Sequence, residues 1–129
     1  MAFATQDVDG AAVVAAPDGS VVRPLVQTER GSMIQFTLAP GAVSRAVSHR
    51  TVDEVWYFLA GSGRMWRRTA DRDEVVTIGP GVSISLPCGT AFQFRSDSAE
   101  PLQAVGVTMP PWPGDGEAYP VEGHWAAVV

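Results

Sequence analysis

The chain has a single cysteine, Cys88, in 129 residues. A lone thiol closes no internal disulfide and supplies no pair of thiolates for a metal, so a disulfide-stapled fold and a thiolate cluster are both excluded. Basic residues are few as well: nine against fourteen acidic ones, for a formal charge of -5 and a pI near 4.8. Neutralising phosphates needs a basic patch, and eight of the nine arginines are spread between Arg23 and Arg72, which argues against nucleic acid and against an anionic membrane surface. No stretch approaches the roughly 18 to 20 apolar residues of a membrane span. The opening MAFATQDVDGAAVVAAPDG lacks the basic segment of a secretory signal, and its run AAVVAA is cut by Pro17 and Asp18. The expectation is a cytoplasmic protein.

Helical periodicity is also missing: no window of three turns stands out, and no repeat of solenoid period is visible. What is present is glycine and proline at short intervals, separating brief runs rich in β-branched and aromatic residues. That pattern predicts an all-β fold. Apolar content of 46% and charged content of 18% suit one domain over 1–129, with a core barrel at about 20–110 and an irregular tail at 110–129.

Ser32 to Leu38 alternates strictly, with Ile34, Phe36 and Leu38 on one face and Met33, Gln35 and Thr37 on the other. Ser44 to His49 alternates again and groups Arg45, Val47 and His49. Glu54 to Ala60 places Glu54, Trp56 and Phe58 on one side and Val55, Tyr57 and Leu59 on the other. Both faces of this last run are apolar, so both are expected to be covered, as in a sandwich or barrel. Phe92 and Phe94 share a face of Thr90 to Arg95, opposite Gln93. Arg64, Arg67 and Arg68 read as a solvated strand edge. The tail beyond Pro110 has no period, but Trp112, Tyr119 and Trp125 give it something to bury, against the barrel or a partner subunit.

At the centre stands PGAVSRAVSHRTVDEVWYFLAGSGRMW, from Pro40 to Trp66. Its residues resemble the cupin superfamily of small jelly-roll barrels. Gly41, His49, Glu54 and Gly61 fall on the first motif of that family, and Gly81, Pro87 and Gly89 on the second. The resemblance implies a double-stranded β-helix of the small bacterial, single-domain kind. It also implies four metal ligands, of which two seats hold Val47 and Phe92 here. The metal site is thus degenerate: no cofactor is expected, and a divalent metal, if bound, would rest on His49 and Glu54. Gln93, Cys88 and His124 are the candidates to complete such a set, but Gln93 reads as facing away, Cys88 lies in a turn and His124 in the tail.

Without a metal, a histidine and a glutamate facing each other in an apolar cavity form a competent acid–base pair. Val47, Trp56, Phe58, Phe92 and Phe94 are then expected to wall a small-molecule pocket, with Gln35 and Arg45 at its polar side and Arg45 receiving a carboxylate or enolate oxygen. This predicts an isomerase, cyclase or lyase acting on a small organic acid or ring compound. Two other readings stand beside it: a non-catalytic binding or sensing barrel, and a metal-dependent cupin with an unusual ligand set. The pair can also be a buried hydrogen-bonded contact with no turnover. Tyr57 and Trp66 on the outer face suggest a homodimer.

Overall fold

The computed structural model describes residues 2–129. After one 3-10 turn, Val8–Gly10, it contains only strands: β1 Val14–Ala15, β2 Val21–Gln27, β3 Ser32–Leu38, β4 Val47–His49, β5 Asp53–Ala60, β6 Gly63–Arg68, β7 Asp73–Ile78, β8 Ser83–Leu86, β9 Ala91–Ser96, β10 Leu102–Met109 and β11 Ala118–Pro120. They pair antiparallel into two sheets, ordered β1-β2-β3-β10-β5-β8 and β11-β4-β9-β6-β7. Two antiparallel sheets closed over one core make the double-stranded β-helix that the residues predict. Among the described residues no helix is long and apolar enough to cross a membrane.

Alternation drives the closure. In β5, Glu54, Trp56 and Phe58 are buried while Val55, Tyr57 and Leu59 are exposed, so a single strand carries one core-facing row and one outer row. The inner rows of both sheets merge at Phe36, Leu38, Val47, Trp56, Phe58, Met65, Ile78, Phe92, Phe94 and Leu102. One end of the barrel is packed solid. There Gly61 turns with φ +71 against the backbone of Pro101, and a Cβ at that position would collide with the Pro101 carbonyl. The opposite end, where β4 ends and β5 begins, is hollow.

The tail packs on its own barrel. β11 pairs with β4, and Val128 bridges Val43. Beneath it lies a second apolar cluster of Ala46, Trp66 and Ala91, packed by Val121 and Trp125. Much of the tail is irregular, as its proline and glycine content predicts, but it supplies one edge strand.

Three local expectations need correction. The alternation from Ser44 does not form a strand until Val47, because Ser44 and Arg45 spend their amides on Phe94 and on Asp18 in loop contacts. The arginine-rich β6 is not an edge: it lies between β9 and β7. Its charges are instead neutralised along the sheet surface, Arg64 by Asp97 and Arg67 by Glu74. Trp66 lies on the outer face of β6, opposite Met65, but offers nothing to a partner there, because His124 and Trp125 of the tail bury it.

Candidate functional site

The last residue of β4 and the second residue of β5 meet at the hollow end. Nδ1 of His49 lies 2.9 Å from Oε2 of Glu54, with the two side chains 6% and 2% exposed. The other carboxylate oxygen, Oε1, accepts the Trp56 indole N–H at 3.0 Å. An indole nitrogen only donates, so Oε1 serves as an acceptor, and Oε2 faces Nδ1 of His49 as the acceptor of a proton held there. That tautomer leaves Nε2 as a lone-pair acceptor. Nε2 has no hydrogen-bond partner among the described residues and is not sealed from solvent, and the residue lines a cavity. The pair therefore aims one basic nitrogen into open space.

That space is about 440 Å³ and is walled mainly by hydrocarbon and rings. Phe36 stacks on Trp56 at 4.2 Å between centroids, and Phe92 and Trp112 each present an edge to His49, at 5.3 and 5.1 Å. Val47 and Ile34 complete the sides. Trp112 is held there by its amide, which donates to the Ser32 hydroxyl at 3.0 Å, and Ser32 in turn bonds Thr108. The stack needs Gly106 behind it: a Cβ there would come within 2.8 Å of Phe36 and 2.9 Å of Trp56.

The polar lining is acidic. Asp18, Glu54 and Asp115 line the cavity, and no arginine does. Asp18 sits in the turn between β1 and β2 and is 5% exposed. Burial pushes its carboxyl above the ordinary value, outweighing the hydrogen bonds from the Ser20 hydroxyl and amide; the charge of Glu54 adds to the rise and His49 opposes it.

Of the residues named from sequence, His49, Glu54, Val47, Trp56 and Phe92 come together at this cavity. Four do not. Arg45 is exposed and outside the lining, because the chain has not yet entered β4 at that point. Gln35 lies on the outer side of β3, where its amide donates to Phe36 O and Thr37 Oγ1. Phe58 and Phe94 face inward but sit deeper, in the solid core behind Trp56. Sequence reasoning missed Phe36, Trp112 and Asp18. Phe36 shares the alternating face of Ile34 and Leu38 and was legible; Trp112 and Asp18 reach the cavity from irregular segments that carry no period.

The sequence pattern described as Cupin domain matches residues 34–108, a span running from β3 to the end of β10 and containing both His49 and Glu54. The chain belongs to the cupin family. No curated protein sequence matches it. Solved structures do. Oxalate decarboxylase from Bacillus subtilis superposes with a TM-score of 0.79 at 16% identity over 94% of this chain, which spans about a third (32%) of that protein's length. KdgF from Halomonas sp. superposes at 0.74, with 13% identity, over 87% of this chain and 97% of that one. A protein with a double-stranded β-helix domain from Klebsiella pneumoniae gives 0.70 and 15% identity, over 92% and 96%. Identities this low establish the cupin fold alone.

The residues of this cupin do not fit a metal centre. Among the described residues no three of His, Cys, Asp or Glu are grouped so as to hold an ion, whereas a firmly held transition metal takes three or four ligands. Glu54 already spends both oxygens, on His49 and Trp56. The seats that the family motifs give to further ligands hold the buried side chains of Val47 and Phe92, which are paired across β4 and β9. Gln93 faces outward into the tail, Cys88 is exposed, and His124 stacks on Trp66.

Proposed function

We propose that this cupin binds a small, uncharged, largely apolar ring compound and moves a proton on it. The observation that supports this reading is the buried His49–Glu54 pair with Nε2 opening into an aromatic cavity. A neutral imidazole takes a proton from a C–H or O–H of the ligand through Nε2, the bonding electrons staying on the ligand. Glu54 stabilises the imidazolium through Nδ1–H. Return of the same proton to another atom of the ligand completes an isomerisation; departure of a leaving group with its bonding electron pair, taking up the imidazolium proton as it goes, completes an elimination. The water-poor aromatic walls strengthen both the carboxylate–imidazolium attraction and the hydrogen bond to the ligand. An organic acid is the less suitable substrate, since three carboxyl groups and no cation line the space.

Proton transfer is read without knowing the product. In D2O, the protein is incubated with uncharged cyclic ketones and deuterium uptake at carbon is followed by NMR. Wild-type uptake, abolished in His49→Ala and Glu54→Gln, is the expected result. A wild-type protein that binds these rings and exchanges nothing is a binding barrel, the second reading, and the catalytic one fails.

We also propose that two copies pair through the outer face of the β3-β10-β5 sheet. There Met33, Val107 and Val55 form one row and Gln35, Val105 and Tyr57 the next, with Tyr57 48% exposed. These rows carry no charged side chain, so a second copy meets apolar surface without like-charge repulsion despite the net charge of -5. Tyr57→Glu is expected to convert a dimer to a monomer in sedimentation; a monomeric wild type overturns the pairing. The exposed single thiol of Cys88 suits a reducing compartment such as the cytoplasm.

A further inference from the structure

The turn between β1 and β2 brings a second polar group to the cavity that the acid–base pair does not use. Both hydrogen bonds to Asp18 fall on one oxygen: Oδ1 accepts the Ser20 amide at 2.9 Å and the Ser20 hydroxyl at 2.6 Å. Oδ2 accepts none among the described residues and is not among the sealed polar atoms, and Asp18 lines the cavity. The turn is pinned by its backbone, since the Asp18 carbonyl accepts the Arg45 amide at 2.7 Å. Asp18 is thereby held beside position 45, and His49, four residues further along the same segment, lines the same cavity. The charged or titratable groups that share this space are Glu54, His49 and Asp115, and none is basic beyond the imidazole itself.

We infer that Asp18 is the second polar pole of the cavity, its Oδ2 donating a hydrogen bond to one end of an uncharged two-ended ring compound, such as a hydroxylated aromatic alcohol, whose other end meets Nε2 of His49. Burial raises the carboxyl above its ordinary value and so favours the protonated form. Because Oδ1 already receives two donors, the proton belongs on Oδ2, which makes it a donor facing inward. An organic anion meets the Glu54 and Asp115 carboxyl groups with no arginine or lysine to balance it, and an apolar end at this pole leaves the Asp18 donor unpaired, which is unfavourable. The ligand class follows: two polar ends, a ring or apolar body between them, and no negative charge. The inference rests on the cavity being the ligand site of the preceding section but not on turnover.

Calorimetric titration with three probes tests it: 4-hydroxybenzyl alcohol, with two polar ends; p-cresol, with one; and 4-hydroxybenzoate, an anion. Wild-type protein is expected to prefer the alcohol over both others by about tenfold, the value of one well-placed hydrogen bond. Asp18→Ala erases the preference over p-cresol, and Asp18→Asn, whose amide still donates, keeps most of it. Where the alanine variant does not fold, Asp18→Ser takes its place, because a serine hydroxyl accepts the Ser20 amide yet is too short to reach the ligand. Ser20→Ala leaves the preference intact. Equal loss of both uncharged probes in Asp18→Ala or Asp18→Ser, binding of the anion as tight as that of the alcohol, or no binding of any probe overturns the assignment. Failure here leaves deuterium uptake untouched, and failure of deuterium uptake leaves this preference in place, so the two readings fall separately.

Discussion

Gln93 and Trp125 exchange two hydrogen bonds: the Gln93 amide donates to the Trp125 carbonyl at 2.8 Å, and the Trp125 N–H donates back to Gln93 Oε1 at 2.9 Å. The same side chain donates to Ser44 O and accepts the His124 N–H. Its whole hydrogen-bonding capacity is spent inside the protein, across a contact that joins β9, the approach to β4 and the tail. Gln93→Leu leaves buried groups without partners and is expected to lower stability by about 2–4 kcal/mol. The cavity lies on the other side of β9. A urea midpoint that falls together with faster proteolysis beyond residue 120, while probe binding is unchanged, is the expected outcome; an unchanged midpoint refutes the clamp.

Gly106 makes a second prediction at the back of the cavity. β10 runs between β3 and β5, and the Phe36–Trp56 stack leans over Gly106. In Gly106→Ala the added methyl meets both rings inside contact distance, so the stack must shift toward the open space. Overpacking of this kind costs about 1–3 kcal/mol. The variant should lose stability in denaturant titration and bind aromatic probes more weakly, because the displaced rings occupy ligand volume. Retention of wild-type affinity with lowered stability would show that the rings move elsewhere.

How much of this is legible in the sequence depends on whether a residue lies in a regular strand. Glu54, Trp56 and Phe92 follow period two, and their faces are as the alternation predicts. Period two misplaces Arg45, because the alternation runs on through Ser44–Ala46 although that segment is loop. Gln35 obeyed its period, which sets it opposite Phe36 and so outside the barrel. For Phe58 and Phe94 period two predicts the side but not the depth, because it says which way a side chain points and nothing of how far it is from the barrel mouth. Asp18 and Trp112 reach the cavity through tertiary contacts of a turn and a tail, which no local pattern encodes.

Two carboxyl groups give the acid limb opposite slopes. For Glu117, burial raises the carboxyl, but bonds from the Thr51 hydroxyl and from the amides of Thr51, Val52 and Arg50 outweigh it, and the net shift is below 4.5. Its stabilisation is present above the unfolded value of 4.5 and is lost as pH falls through the lower folded one. Asp18 is raised above 3.8, so between the unfolded and folded values the native state holds the extra proton and stability falls as pH rises. Urea midpoints between pH 2 and 7 should therefore lose part of their rising limb in Glu117→Gln and part of a falling one in Asp18→Asn. Parallel shifts of both variants at every pH would contradict the assignment.

Val47 and Phe92 predict a gain of function. They are cross-strand partners in the sheet, and the Phe92 ring stands 5.3 Å from that of His49. The family motifs set two ligands at these positions. Replacing both by histidine adds two nitrogens to His49 and Glu54 and reaches the four donors that a divalent ion takes. Elemental analysis should find close to one equivalent of zinc or manganese in the double variant, little in either single variant, and a stability increase that chelator removes. Absence of metal from the double variant would mean that the seats are misplaced.

The last prediction concerns the proton between His49 and Glu54. In the wild type a carboxylate accepts at both oxygens, from Trp56 and from the imidazole, which fixes the proton on Nδ1 and leaves Nε2 basic. In Glu54→Gln the indole still requires an acceptor, so the amide oxygen stays on Trp56 and the amide nitrogen turns to His49. That nitrogen donates, so Nδ1 must accept and the proton moves to Nε2. The imidazole then presents a donor to the cavity where it presented a base. The chain has only two histidines, so nitrogen-15 NMR of labelled protein resolves them directly, and a His124→Gln variant assigns the pair. Expected is an Nδ1–H tautomer in the wild type and an Nε2–H tautomer in Glu54→Gln, with the fold intact and deuterium uptake lost. The same tautomer in both proteins would mean that Glu54 does not orient the imidazole, and the base would then have to be sought elsewhere in the cavity.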